Sequence, residues 1–461
     1  MNALQKLVAP FALLAAVITG CSAASSSDGA ATGSDDLTQD EGSYQAYFTN
    51  PLPAVITRLQ AKKLPEYSPA TADKWQALSQ IDVAGGRNLH QALIDLMGRA
   101  SGDGCAVLVS DYDFNRREIA DAMVQAKTRG CDVRFVTDGD TVAKADADLT
   151  ATRSQVDPAY HEAFTVLRTA GIEIHHDGKR GAIMHDKFAV VIGANVASVW
   201  AGSWNFTADD EESFWNNGIQ MSSAEMVRRY RANFESLFTR FGADGTVAKK
   251  STYVPLTDHG VVIGSSKFEV YFPQVDHATP RITQILNGAT KSIHVLAFSF
   301  TSPDMTAAVV ARAQAGVEVR GVFENSGACS GAYKPLAALG AANVTLGRWP
   351  YGPTNFMHHK VFIVDGETVV FSSFNFSASA DNSNDENVLV VQDQALAAQF
   401  EQSYQLIEKA TGLAGAAAPA VCPVTQDAPA DAMRTPDSEA PPAPTDADAG
   451  MPTDDAGAPN R

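Results

Sequence analysis

The chain has 461 residues, 45% of them hydrophobic, which is the make-up of a globular protein with two or three domains and sizeable cores. Its formal net charge is −18, and no basic run interrupts the acidity. Non-specific nucleic-acid binding depends on neutralising phosphates, so this balance argues against it and leaves only a local basic cleft on an acidic body as a route to such a substrate.

Residues 1–21 read as a processing segment. Lys6 gives a short positive start, residues 7–18 form an apolar run too short to span a bilayer, and Thr19, Gly20 and Cys21 follow. A small residue just before a cysteine resembles a bacterial lipobox. That resemblance implies that Cys21 is acylated, becomes the mature N-terminus and anchors the protein to a membrane surface. Ser22 resembles outer-membrane sorting, on the periplasmic or the surface face. The alternative is an ordinary secretory signal with an incidental cysteine. Residues 22–44, rich in Ser, Ala, Gly and Asp, read as a flexible acidic tether, and residues 413–461, rich in Ala, Pro and Asp, as a disordered tail.

Between tether and tail lie two halves of similar layout, residues 45–250 and 256–412. Residues 119–136 line up with residues 305–322: each is an Ala-rich helix, a glycine stop and a strand. An apolar strand precedes each helix, at residues 106–110 and 292–298. Strand–helix–strand units of this spacing predict neighbouring parallel strands in an α/β sheet. Four cysteines stay after removal of Cys21 (Cys105, Cys131, Cys329 and Cys422), an even number that permits two disulfides in an exported chain. Cys105 and Cys131 each open one of two strands expected to be neighbours. A Cys329–Cys422 bond would staple the C-terminal segment to the second half. No cysteine or histidine cluster suggests zinc.

Each half then reaches a hairpin with the same polar residues. In the second, His358-x-Lys360 leads into the β-branched run at residues 361–364. Asp365-Gly366 is a hairpin turn signal, and residues 368–371 read as the return strand, ending in Ser373-x-Asn375. Alternation puts His358 and Lys360 on one face and His359 on the other. An imidazole, an ammonium and an amide gathered at one sheet end suit a phosphate diester: Lys and Asn meet its oxygens, and His attacks or protonates. The first half carries His185-x-Lys187 and Ser203-x-Asn205, with Ile192 where the second half has Asp365.

This pattern, His-x-Lys, four residues, Asp, then a Ser-x-Asn hairpin, resembles the HKD motif of the phospholipase D superfamily, complete in the second half and degenerate in the first. The resemblance covers residues 45–412. It implies an α/β fold of two similar lobes, each a mixed β-sheet flanked by helices, related by a pseudo-two-fold with one shared active site. It implies catalytic roles for His185, Lys187, His358 and Lys360, with Asp365 as their support, and phosphate contacts from Ser203, Asn205, Ser373 and Asn375. Asn384 to Glu386 looks like the acidic element that follows many such motifs; Glu386, counted with the substrate-binding residues, then orients a histidine, most simply His358, or is a solvated loop acid. The matching first-half stretch is taken as Asn216-Asn217-Gly218, without the carboxylate, which leaves His185 the less supported of the two.

The chemistry implied is a phosphohistidine intermediate, with His185 favoured as nucleophile and His358 as acid/base, and with no cofactor or metal. The expected activity is that of a phospholipase D-type phosphodiesterase, a monomer acting on the headgroup diester of membrane phospholipids by hydrolysis or transfer. A metal-independent exported nuclease and an inactive lipid- or partner-binding lipoprotein are the alternatives, nucleic acid being the less favoured substrate. Trp204, Phe206, Trp215, Phe374 and Phe376 are candidates for an apolar wall beside the site, the acidic run at residues 209–212 reads as a solvated loop, and His359, His175 and His176 are given no site role.

Overall fold

The structure, a computed structural model, describes residues 39–40, 42–83, 88–150, 156–178, 181–248, 252–329, 331–352 and 354–413. The signal and lipidation readings at Cys21, the tail from residue 414 and Cys422 lie outside them. Among the described residues, sixteen strands fall into two sheets. The first lobe contributes β2 (Ser43–Phe48), β3 (Ala106–Asp111), β4 (Asp132–Thr137), β5 (Glu173–His176), β6 (Lys187–Gly193), β7 (Val196–Gly202) and β8 (Asn217–Ser222). The other sheet contains β1 (Gln39–Asp40), β9 (Gly260–Ile263), β10 (Ser266–Tyr271), β11 (Ser292–Ala297), β12 (Glu318–Glu324), β13 (Val344–Trp349), β14 (Lys360–Val364), β15 (Thr368–Ser372) and β16 (Val388–Gln392).

The strand orders are β2-β8-β7-β6-β3-β4-β5 and β1-β9-β10-β16-β15-β14-β11-β12-β13. From β2 and from β10 onward the two sheets match strand for strand. In each, the two strands flanking the Ala-rich helix pair in parallel, β3 with β4 and β11 with β12, as the repeat predicts. The HxK hairpin is antiparallel to the first of them, β6 on β3 and β14 on β11. Two residues assigned to the tether, Ser43 and Tyr44, begin β2, while Gln39 and Asp40 pair with β9 of the other lobe's sheet.

Burial follows the pleat. Along β14, Val361 and Ile363 join a core shared by both lobes, while Phe362 and Val364 face the outer helices of the second lobe. Along β6, Phe188 and Val190 face the shared core, and Ala189 and Val191 an outer one. The helices Ala224–Arg240 and Gln394–Leu413 close the shared core. A burial of this extent, at about 25 cal/mol per Å² of apolar surface, welds the lobes into one body rather than two tethered ones. Cys105 and Cys131, at the starts of β3 and β4, are joined in a disulfide.

The hairpin tips differ for a physical reason. In the second lobe Asp365 and Gly366, both at positive φ (56° and 69°), open a three-residue loop between the paired Val364 and Thr368, in which Glu367 N–H donates to Val364 O (3.0 Å). Asp365 accepts from the backbone N–H groups of Thr290, Lys291 and Ser292 at 2.7–3.1 Å and so clamps the start of β11. In the first lobe the strands run further before turning: Ile192 is still within β6, paired with Ala106 and Ala197, and Ala194 N–H donates to Ser101 O instead (2.8 Å). Ile192 therefore replaces a clamp at a strand's far end, not a group at the site.

Candidate active site

The segments that precede the two HxK pairs cross into the opposite lobe. His185 N–H donates to Asp385 O (2.9 Å) and Asp385 N–H to Ile183 O (3.0 Å). On the other side His358 N–H donates to Trp215 O (3.0 Å) and Trp215 N–H to Phe356 O (2.9 Å). These paired bridges, Met184 with Asp385 and Trp215 with Met357, sew each histidine to the segment that follows the other lobe's hairpin. Buried acids fix the same loops from within: Asp177 accepts from Met184 N–H and Glu324 from Met357 N–H, both at 2.9 Å. Burial pushes Glu324 up to about 8, against the backbone N–H groups that donate to it.

The side chains repeat the exchange. His185 Nδ1 lies 2.8 and 2.9 Å from the two carboxylate oxygens of Glu386. His358 Nδ1–H donates to Asn216 Oδ1 at 2.9 Å. Glu386 and Asn216 are themselves equivalent: each accepts from the serine thirteen residues earlier, Ser373 (2.6 Å) and Ser203 (2.8 Å). One residue on, Asn387 donates to Asp186 (2.8 Å) and Asn217 donates to His359 Nδ1 (2.8 Å), so the residue inside each HxK is also held by the other lobe. Each lysine donates back to its own histidine carbonyl, Lys187 at 2.8 Å and Lys360 at 2.9 Å, and its ammonium sits over an aromatic ring, Tyr112 at 5.0 Å and Phe298 at 4.6 Å. The same rings stand edge-on to the histidines.

Several sequence readings are corrected by this geometry. Asp365 caps the far end of β14 from Lys360, five residues or about 16 Å of strand away, and supports β11 rather than catalysis. Glu386 serves His185, not His358 and not substrate, so the first-half histidine is the better supported one. The position equivalent to Glu386 is Asn216 rather than Gly218, which lies in β8. Ser203 and Ser373 are fully buried, donate to Asn216 and Glu386 and accept Asn217 and Asn387 N–H, which makes them supports and not substrate contacts. Asn205 donates its amide to Asp210 (3.2 Å to each oxygen), leaving only its carbonyl oxygen unpartnered. Asn375 is 0% exposed with neither amide atom partnered, so it alone of the pair keeps an N–H to offer a phosphate.

The acidic run at residues 209–212 lies on the short helix Ala208–Glu212 and is only half solvated: Asp209 and Glu212 are exposed, but Asp210 and Glu211 are buried, and Asp210 Oδ1 is 3.3 Å from His358 Nδ1. His359 is fully buried within the interlobe network. Trp204, Phe206, Trp215, Phe374 and Phe376 are all core residues. The half-buried rings beside the histidines are Tyr112, Phe214, Phe298 and Phe356 instead. Tyr112 and Phe298 each directly follow the first strand of their repeat, β3 and β11; Asn216 was legible from the equal serine offset.

Burial and the cations set the proton states. His185, 3% exposed, is held well below the usual imidazole range by burial and then by Lys187 and Lys360. His358, 7% exposed, is lowered to about 4 by burial and Lys360, against the pull of Asp210. Burial pushes Glu386 up, with Lys187 opposing. Burial likewise lowers Lys187, countered by Glu386 and Asp111. An empty site thus favours neutral imidazoles whose Nδ1 atoms are occupied, leaving Nε2 as the reactive nitrogen. An arriving phosphate diester brings the negative charge that reverses the repulsion from the two lysines. Among the described residues, no group of three or more His, Cys, Asp or Glu is arranged to hold a metal ion.

Residues 80–238 and 282–407 match the family model described as cardiolipin synthase, PLD-like domain. The chain is 30% identical over 135 residues to a mitochondrial cardiolipin hydrolase of Xenopus tropicalis, an alignment covering 29% of this chain and 62% of that protein. It is 30% identical over 144 residues to a phospholipase D of Rickettsia bellii, covering 31% of this chain and 69% of that protein. The fold resembles the crystal structure of phosphatidylserine synthase from Haemophilus influenzae, with a TM-score of 0.51 at 14% identity over 70% of this chain and 84% of that one. This chain spans less than two thirds of the length of the frog hydrolase.

Proposed function

The chain belongs to the phospholipase D superfamily, and from that premise we propose that it is a phosphodiesterase cleaving, or exchanging, the headgroup diester of membrane phospholipids to give phosphatidic acid. The observation that carries the proposal is the pair of HxK motifs meeting at one site, each histidine oriented by the opposite lobe. His185 Nε2 attacks phosphorus; the N–P bond forms as the bond to the headgroup oxygen breaks, and protonated His358 gives its Nε2 proton to that oxygen. Water, or an acceptor alcohol, then attacks the phosphohistidine while His358 takes its proton, and His185 is released. Lys187, Lys360 and the Asn375 amide hold the non-bridging oxygens as charge develops. The carboxylate of Glu386 stabilises the positive charge that builds on His185, which favours His185 as the nucleophile. The aromatic rings flanking His358 and the acidic chain favour a lipid over a nucleic acid. Acylation at Cys21, part of the same proposal, would keep the enzyme on its substrate surface in the outer membrane.

The test is turnover by the chain lacking residues 1–21 on vesicles of phosphatidylcholine, phosphatidylethanolamine or phosphatidylglycerol, and separately on single- and double-stranded DNA, all in EDTA. Phosphatidic acid released by the wild type and lost in both His185→Ala and His358→Ala is the expected result. DNA cleavage without lipid turnover would replace the lipid assignment by a nuclease.

A further inference from the structure

The pseudo-two-fold is broken at a pair of neighbouring positions beside the histidines. Where the second lobe has Ala380 and Glu386, the first has Asp210 and Asn216. The alignment is fixed by the structure on both sides: Thr207 and Ser377 cap the equivalent short helices Ala208–Glu212 and Ala378–Asn382, each accepting from the residue three positions on, Asp210 and Ala380. Asn216 and Glu386 accept from equivalent serines. Side-chain bulk is nearly conserved across the swap, but the carboxylate has moved from the segment after the hairpin to the helical turn before it.

We propose that Asp210 is a positioning residue for His358, supplying from the first-lobe helix the carboxylate that Glu386 supplies to His185. This rests on the reading in which both histidines act on one phosphate. Asp210 Oδ1 lies 3.3 Å from His358 Nδ1, and Asn216 bridges the two, accepting from His358 at 2.9 Å and donating to Asp210 at 3.1 Å. The carboxylate is fixed independently of the histidine by the Asn205 amide and the Thr207 hydroxyl. Burial alone would push Asp210 up; the donors, His358 first among them, hold it below the usual carboxylate range, so it is the ionised partner. The swap also accounts for the two hairpin asparagines: Asn205 is tied to Asp210, whereas the second lobe has Ala380 at that position and the Asn375 amide stays unpartnered.

The consequence is an asymmetric pair. His185 contacts its carboxylate directly; His358 reaches its own mainly through a neutral amide. Asp210 pulls the His358 imidazole up against burial and Lys360, which suits the group that must hold a proton for the leaving oxygen. The charged groups facing this pair are Lys360, Lys187 and His185 on the histidine side, and Asp111 and Asp209 on the aspartate side.

The experiment uses the chain lacking residues 1–21 with labelled histidine. Two readouts are taken: the NMR titration of the His358 ring, and the pH profile of kcat/KM with bis(p-nitrophenyl) phosphate. Asp210→Asn keeps size and hydrogen-bonding capacity but removes the charge. It is expected to lower the His358 midpoint, and with it the alkaline limb of the profile, by about one pH unit or more, the effect of losing an opposite charge at this distance. The double variant Asp210→Ala with Asn216→Glu, which transplants the second-lobe arrangement, is expected to restore both. An unmoved midpoint in Asp210→Asn, or a double variant that does not restore it, overturns the proposal. A midpoint that moves in a protein with no diesterase turnover would uphold the positioning and defeat only the functional reading.

Discussion

Replacing Glu386 by Gln tests the exchange of supports between lobes. The change keeps shape and removes the charge that His185 Nδ1 meets at 2.8 and 2.9 Å and that Ser373 donates to at 2.6 Å. A hydrogen bond to a charged group contributes about 1.5–3 kcal/mol. The full amount is felt only when His185 carries positive charge, as its Nε2 bonds to phosphorus, because the empty site already favours a neutral pair. At about 1.36 kcal/mol per tenfold, kcat is expected to fall roughly 10- to 150-fold with little change in KM. The assay is steady-state release of p-nitrophenol from bis(p-nitrophenyl) phosphate. Asp365→Asn is the matched control, the same carboxylate-to-amide change at the far end of β14. A Glu386→Gln enzyme retaining more than about half of wild-type kcat would refute the reasoning, as would an equal loss in Asp365→Asn.

Asp365→Ala is expected to lower stability by about 1–2 kcal/mol in urea unfolding while leaving kcat unchanged, since it frees the N–H groups at the start of β11. Those N–H donors, outweighing partial burial, hold Asp365 below the usual carboxylate range. Its stabilisation is therefore complete above the unfolded carboxylate pKa and is lost as pH falls through the folded one; an Asp365→Ala protein whose stability deficit persists at the lowest pH would contradict this. Asp186 behaves oppositely. Burial raises it to about 7, against the Asn387 amide, so the unfolded chain ionises first and stability declines as pH rises from the ordinary carboxylate range to about 7. Asp186→Asn is expected to flatten that slope in Tm measured across the window, and an unchanged slope counts against it. Mutating Cys105 and Cys131 to serine opens a 26-residue link and is expected to cost about 3.5 kcal/mol on a chain-entropy estimate; a denaturation midpoint unaffected by the change would show that the bond adds nothing.

The fold was legible because its signals are local. The glycine stops, the β-branched runs and the Asp365-Gly366 turn each act within a few residues, and their repetition fixed the pairing of β3 with β4 and β11 with β12. The two HxK pairs were legible for the same reason, since alternation along one strand puts His and Lys on one face. What the sequence hid was everything that acts across the pseudo-two-fold. Glu386 lies 201 residues from His185, and Asn216 142 residues from His358. Reading each half by itself assigned Glu386 to its own histidine and made His185 look undersupported. Asp365 misled in the other direction: it belongs to the motif by spacing, but a strand of five residues carries it away from the chemistry. Asp210 looked like solvated acid because neighbouring charges usually are; in the fold it is held by Thr207, Asn205, Asn216 and the approach of His358.

The central claim is that one phosphorus atom passes through His185 with His358 as its proton partner. The direct measurement is intact-mass and peptide analysis, kept at alkaline pH, of alkali-quenched enzyme after mixing with bis(p-nitrophenyl) phosphate in EDTA. p-Nitrophenol needs little help to leave, so His358→Ala is expected to accumulate a nitrophenyl-phosphoryl adduct on His185 that water then removes slowly. His185→Ala is expected to show no adduct and no turnover. An adduct on His358, or turnover surviving in His185→Ala, would contradict the account.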